Sequence, residues 1–143
     1  MKKLEIIENI KVRSEKELLA FSEKPKRIYF TIEKSALSKI AKYLFREVKA
    51  RFITASGVDT RSNIEILYHF SVDEAGLVVS LRVILEKDNL EIESLTPIIL
   101  CTEWIEREIH ELLGVNFKGH PNLKHLLLKD DWPEGNYPLR RDQ

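Results

Sequence analysis

Residues 63–72, Asn63-Ile64-Glu65-Ile66-Leu67-Tyr68-His69-Phe70-Ser71-Val72, alternate apolar and polar side chains with period two. That is the pattern of a strand with one buried face. Asp73-Glu74-Ala75-Gly76 follows as loop material, and Leu77-Val78-Val79-Ser80-Leu81-Arg82-Val83-Ile84-Leu85 returns as a second strand-like run. Two such runs across a short loop containing glycine predict an antiparallel hairpin. The chain must therefore build a sheet, and Ile64, Ile66, Tyr68 and Phe70 must share its core face.

The flanking segments add to that sheet and cover it. Arg27-Ile28-Tyr29-Phe30-Thr31-Ile32 is β-branched and aromatic, and predicts a strand. Leu37, Ile40, Ala41, Leu44, Phe45 and Val48 then recur at helical spacing behind Ser35 as N-cap, predicting one amphipathic helix. A strand over 52–56 should lead into a turn at Gly57-Val58-Asp59, and Lys87-Asp88-Asn89 should form another turn. Thr96-Pro97 predicts the opening of a second long helix, with Ile98, Cys101, Ile105, Ile109 and Leu112 on its apolar stripe and Gly114 just past its end. Nearer the start, Ser14 followed by acids and by Leu18, Leu19 and Phe21 predicts a short helix over 15–22, stopped by Pro25. The expected fold is α+β: a mixed or antiparallel sheet carrying two main helices, followed by an extended C-terminal strap. Three stretches result: an N-terminal helical segment (1–26), the α+β core (27–117) and the strap (118–143).

The 143 residues suit one domain. Basic and acidic residues balance at 23 each, which argues against a nucleic-acid partner, since that requires a basic excess. The single cysteine, Cys101, excludes an internal disulfide, and one chain with one thiol cannot alone hold an iron–sulfur cluster that needs about four. The apolar run around Ile98-Ile99-Leu100 is far short of the roughly 20 residues that span a bilayer, and the start lacks the apolar stretch of a signal peptide. An intracellular chain is expected.

Candidate chemistry is sparse. His110-Glu111 does not continue into a two-histidine zinc helix, because Gly114 stands where the second histidine belongs. His120 and His125 lie five apart without thiolate or carboxylate partners in a recognised pattern, so histidines bonded to backbone are the expectation. The alternative is a small autonomous metal protein using His110, His120, His125 and nearby carboxylates. Glu103 with Glu106, and Glu108 with Glu111, sit at i+3 spacing, which can serve acid–base chemistry but more often makes an ion-paired face. No glycine-rich phosphate loop follows a strand, and Cys101 is expected in the core.

The strap resists such ordinary readings. After Phe117 the periodicity stops, and the stretch 118–143 carries Gly119, Pro121, Pro133, Gly135 and Pro138. Phe117, the leucines at 126–128, Trp132, Tyr137 and Leu139 alternate with rigid turns and end in Arg140 and Arg141. Trp, Tyr and Arg dominate interface hot spots. A segment with no ladder of its own must satisfy its backbone against something else, so a partner-binding strap is expected.

Trp104-Ile105-Glu106-Arg107-Glu108, Phe117-Lys118-Gly119-His120-Pro121-Asn122-Leu123, Asp130-Asp131-Trp132 and Pro138-Leu139-Arg140-Arg141-Asp142 occur in that order. This series resembles the thirty-kilodalton subunit of respiratory complex I (NADH dehydrogenase), a family shared with energy-converting membrane-bound nickel–iron hydrogenases, and the likeness extends over 27–142. The resemblance implies a non-catalytic subunit of the hydrophilic arm, without a cofactor of its own. Iron–sulfur clusters, and a nickel–iron centre in hydrogenase types, would lie in partner subunits. It implies contacts to the large subunit, the one that carries the quinone site or the nickel–iron centre, and to iron–sulfur subunits. The place would be the cytoplasmic face of the membrane, with no direct membrane contact. Glu106, Arg107 and Glu108 would be the helix signature, Gly119-His120-Pro121 a fixed turn, and Arg140, Arg141 and Asp142 docking charges. Phe117, Leu123, Trp132, Tyr137 and Leu139 would be the anchors. His110-Glu111-Leu112-Leu113 departs from the aspartate and aromatic of respiratory members and favours the hydrogenase-like branch over an NADH or F420H2 dehydrogenase of the quinone type.

Overall fold

The computed structural model describes residues 2–142. The hairpin forms as its alternation requires. Strand β4 (Asn63–Val72) pairs antiparallel with β5 (Leu77–Glu86) in unbroken register from Asn63 opposite Glu86 to Val72 opposite Leu77. Gly76, at φ 58°, closes the loop in the left-handed region that glycine tolerates. β2 (Arg27–Ile32) lies parallel to β5, while β1 (Leu18–Lys24) and β3 (Arg51–Asp59) pair antiparallel at the two edges, giving the order β1-β2-β5-β4-β3. The sheet is thus mixed, as expected.

One face of this sheet is the core. Register aligns Phe30, Leu81, Tyr68 and Ala55 across it, and Ile28, Val79 and Phe70 in the neighbouring row, all buried. Helices α1 (Lys3–Ser14), α2 (Leu37–Lys42) and α3 (Glu103–Leu113) cover that face. Burying one such aliphatic or aromatic side chain stabilises by roughly 1.5–3 kcal/mol, so this layer dominates the fold's stability. The opposite face is polar at its centre, where Ser56 Oγ and His69 Nε2 lie 3.0 Å apart and His69 Nδ1 and Ser80 Oγ 2.7 Å apart.

Five local expectations are corrected. Residues 15–22 do not form a helix: the helix precedes them as α1, and Leu18–Lys24 is strand β1. Ser14 ends α1, its hydroxyl donating back to the Ile10 carbonyl (2.7 Å), and Ile6, Ile7 and Ile10 enter the common core. Phe21 instead stacks beside Phe30 across the β1–β2 pair, 5.1 Å between ring centres. Ser35 is not a cap but donates to the Glu17 carboxylate, and α2 widens into a π-turn over Tyr43–Glu47. Tyr43, three residues after Ile40 on the same face, is buried, and its hydroxyl accepts from Asn9 Nδ2 (3.0 Å). Gly57-Val58-Asp59 is not a turn but the end of β3. Gly57 is needed for packing, since a Cβ there would sit 2.6 Å from Leu113 Cδ1 of α3. Finally, Thr96-Pro97 does not open a helix. Residues 94–99 form a loop, a single 3-10 turn follows (Leu100–Thr102), α3 begins at Glu103, and Cys101 is exposed rather than in the core.

A short parallel pair, β6 (Glu91–Glu93) and β7 (Asn116–Lys118), brings the chain out of α3. Beyond β7 the described residues contain no helix or strand.

Candidate functional site

Helix α3 is the hub from which the strap is held. Its three inward charged residues, Glu106, Arg107 and Glu111, all make bonds to non-helical backbone or to buried hydroxyls.

Glu106 is fully buried. Its Oε1 accepts from Ser94 Oγ (2.6 Å) and Thr96 Oγ1 (2.7 Å), and its Oε2 from Tyr68 Oη (2.5 Å) and the Leu95 N–H (2.9 Å). Four donors replace the water that the carboxylate loses on burial, which makes its position tolerable without a cation. Burial, and then the charge of Glu106, push the Tyr68 phenol well above its ordinary pKa, so it stays a donor. This cluster joins α3, the 94–96 loop and the sheet centre.

On the adjoining face of the helix, Arg107 and Glu111 treat the strap as a peptide to be gripped. Arg107 donates to the carbonyls of Lys124 (3.1 Å) and His125 (2.5 Å). Glu111 accepts from the N–H groups of Leu126 (2.7 Å), Leu127 (2.8 Å) and Leu128 (3.4 Å). A cation for carbonyls and an anion for amides, at i and i+4 on one helix face, do what a neighbouring strand does in a sheet. The strap in return closes the helix end: the Leu139 N–H donates to the Leu112 carbonyl (3.0 Å) and Arg140 Nη1 to the Leu113 carbonyl (3.2 Å). These are the carbonyls that a helix leaves unpaired, at the end where a cation is favoured. Gly114, at φ 80°, admits the Tyr137 ring, which would lie 2.5 Å from any Cβ placed there.

The last residues are fixed from the sheet. Buried Asp59 accepts the Arg141 N–H at Oδ2 (2.7 Å) and pairs with Lys87 at Oδ1 (2.7 Å). Lys87, and then the Arg141 amide, hold its carboxyl below the usual range. Arg140 also forks onto Asp142, at 2.9 and 2.5 Å, and lowers its pKa.

The sequence-predicted interface residues therefore divide. Glu106 and Phe117 are buried and offer no surface to a neighbour, so as contact residues they are corrected: they support the hub from inside. Arg107 is spent on the chain's own backbone, and Arg140 on the Leu113 carbonyl and the Asp142 carboxylate. Glu108, His120, Leu123, Trp132 and Tyr137 are half-buried, whereas Gly119, Pro121, Leu139, Arg141 and Asp142 are exposed. Trp132 donates its indole N–H to the Asn136 carbonyl (2.7 Å). Asn122 N–H donates to His120 Nδ1 (3.0 Å), leaving Nε2 protonated to donate to the Glu103 carbonyl (3.0 Å), which holds the turn at Gly119-His120-Pro121.

His110 and His125 line one cleft with Glu111 and Asp130, whereas His120 lies elsewhere. His110 and His125 bind the carbonyls of Val115 and Lys129 through Nδ1, both at 2.8 Å. Among the described residues no three His, Cys, Asp or Glu side chains meet as a metal site. Glu103 and Glu106, and likewise Glu108 and Glu111, face different surroundings and form no acid–base pair.

Two elements escaped the sequence reading. Glu111 and Asp59 as strap clamps carried a signal only in the i+4 spacing of Arg107 and Glu111. The exposed apolar set Leu100 (74% exposed), Trp104 (67%) and Leu127 (64%) appears only once the helix start is known.

The family model for the respiratory-chain NADH dehydrogenase 30 Kd subunit matches residues 30–143, most of the chain. The chain belongs to this family. Among similar proteins, a subunit of the F420H2 dehydrogenase of Methanosarcina mazei is 37% identical over 123 residues, covering 84% of this chain and 77% of that relative. Hydrogenase-4 component G of Escherichia coli is 29% identical over 82% of this chain, which spans only 22% of that longer protein. A chain in the solved structure of the membrane-bound sulfane sulfur reductase (MBS), an archaeal respiratory membrane complex, has the same fold. It aligns with this family member at a TM-score of 0.83 and 22% identity, over 97% of this chain and 84% of that one.

Proposed function

We propose that this member of the NADH dehydrogenase subunit family is a non-catalytic part of the hydrophilic arm of a complex I-like membrane-bound oxidoreductase, docking on the large subunit and holding it in register with iron–sulfur subunits. The observation that carries this reading is the clamped strap. Its backbone is gripped from inside by Arg107, Glu111 and Asp59, so its outward side chains, Leu127, Leu139 and Arg141, are presented in a fixed geometry. Preorganised apolar and cationic anchors cost little further ordering on binding. The redox centres, iron–sulfur clusters and a nickel–iron centre in a hydrogenase type, belong in this reading to the partner subunits. The site of action is the cytoplasmic face of the membrane, reached only through the complex; no helix among the described residues is long and apolar enough to cross a membrane.

The His110-Glu111-Leu112-Leu113 stretch favours a hydrogenase-type parent, while the 37% likeness to an F420H2 dehydrogenase subunit supports a dehydrogenase parent as the second reading. Native purification through a tag on this chain, with identification and activity assay of the co-purifying subunits, tests both. A large subunit and iron–sulfur subunits are expected to co-purify, and Leu127→Asp with Arg141→Glu should remove them from a chain that still folds. Undiminished recovery of the whole complex with that double variant overturns the strap's role.

A further inference from the structure

We propose that the outer edge of β3 and the facing wall of α3 form a groove that receives an extended strand from a neighbouring subunit, which joins the sheet as its sixth strand. This rests on the reading that the chain works inside a multi-subunit complex, and it names a second contact, distinct from the strap's outward anchors Leu127, Leu139 and Arg141.

Strand β3 ends the sheet, and among the described residues no backbone hydrogen bond reaches residues 51–58 from beyond it. Isolated domains guard such edges with charges, proline or a covering element. The other edge strand, β1, follows that rule with Glu23 and Lys24 and stops at Pro25. The β3 run Phe52-Ile53-Thr54-Ala55-Ser56-Gly57-Val58 has neither charge nor proline. Its one guard is the bulge at Ile53, so residues 54–58 are unprotected unless another chain covers them.

Beside the edge lies a cleft of about 330 Å³, with Ile53 and Thr54 on one side, Trp104, Ile105 and Glu108 of α3 on the other, and Leu126 of the clamped strap. The ladder to β4 skips a residue between Phe52 and Thr54, so Ile53 stands in a bulge and is exposed toward solvent. A cleft between an edge strand and a helix is where extended peptides bind by strand addition: the backbone pairs with the edge and alternate side chains enter the cleft. The seven-residue edge is about 24 Å long at about 3.4 Å per residue.

Charge selects the occupant. Glu108 is the charged residue on the helix wall and makes it acidic, and Arg51 at the near end is already paired with Asp73 (3.1 Å). The fitting partner is thus an extended segment with apolar residues at alternate positions and a lysine or arginine opposite Glu108. A second copy does not meet this requirement, because its own β3 carries no cation between 52 and 58.

The test compares amide exchange in the full chain alone and in the natively purified complex. At least tenfold slowing is expected at alternate residues within 52–58, those whose N–H groups point away from β4. Ile53→Asp, at an exposed position, should reduce retention in the complex at least tenfold, whether or not Trp104→Ala does so as well. If the chain co-purifies with its partners yet exchange over 52–58 is unchanged, or slows without alternation, the groove proposal is overturned while the subunit reading stands. Protection traced by native mass to a second copy of this chain also overturns it. If no partner co-purifies, the subunit reading fails, and this proposal fails with it.

Discussion

Removing the Glu111 carboxylate should free the strap without unfolding the body. Its two good bonds, to the Leu126 and Leu127 amides at 2.7 and 2.8 Å, are charge-assisted; the third, to Leu128 at 3.4 Å, is marginal. A hydrogen bond to a charged group contributes about 1.5–3 kcal/mol, so the two strong ones sum to about 3–6. Water can reach the strap amides once they are released, and the bonds share one anion, so about 2–4 kcal/mol is the expected loss for Glu111→Ala. At about 1.36 kcal/mol per decade this raises strap opening roughly 30- to 900-fold. Lys124 and Lys129 flank the three amides that Glu111 holds, so the rate of limited tryptic cleavage there reads the opening, provided reclosing outpaces cleavage. Glu111→Gln, which keeps one carbonyl acceptor but turns an amide donor toward an N–H, should recover about half of the loss. The main melting transition should stay in place, because the apolar layer over the sheet does not depend on this residue. Cleavage within twofold of the parent protein would refute the view that α3 holds the strap by its backbone.

Glu106→Ala should act globally, since it leaves Tyr68, Ser94, Thr96 and the Leu95 amide without their common acceptor. About 3–5 kcal/mol is expected, the usual loss on breaking a buried charged group's set of bonds, measured by denaturant unfolding; Glu106→Gln should cost much less, because the hydroxyls can reorient. Gly114→Ala combines a left-handed φ with a clash against Tyr137 and should destabilise by at least about 1 kcal/mol, with altered fluorescence from Tyr137. Asp59 has a depressed pKa, so its contribution is complete above its unfolded value near 4 and is lost as pH falls through the folded value. Protection of the Arg141 amide, measured against its intrinsic exchange rate at each pH, should therefore fall only in acid, and Asp59→Asn should show the loosened state at neutral pH. Arg140→Ala should loosen the strap end in the isolated chain, whereas Arg141→Ala should weaken only partner binding.

The sheet was legible because its signal is local: alternation over 63–72 and a glycine loop leave one face to bury. The boundary between helix and strand in the N-terminal segment was not, since Leu18, Leu19 and Phe21 fit either period over so short a run, and only pairing with β2 decides for a strand. Gly57 is ambiguous along the chain for a related reason. A glycine that admits a helix and a glycine that makes a turn look alike until Leu113 is placed above it. Cys101 falls on an apolar stripe only if a helix runs from Thr96, whereas residues 94–96 are held as a loop by their bonds to Glu106 and α3 begins at Glu103.

Sequence alone determined that this chain is an α+β sheet protein of the complex I subunit family with an aperiodic tail full of anchors, because composition, short-range alternation and rare residue clusters are all written along the chain. Tertiary structure decided what holds that tail. The clamps, Arg107 with Glu111, Arg140 on the helix end and Asp59 under Arg141, join residues 15 to 82 positions apart, and no local pattern announces a bond between a side chain and a distant peptide group. It also decided which anchors face outward, since a backbone gripped on one side must present its remaining side chains on the other.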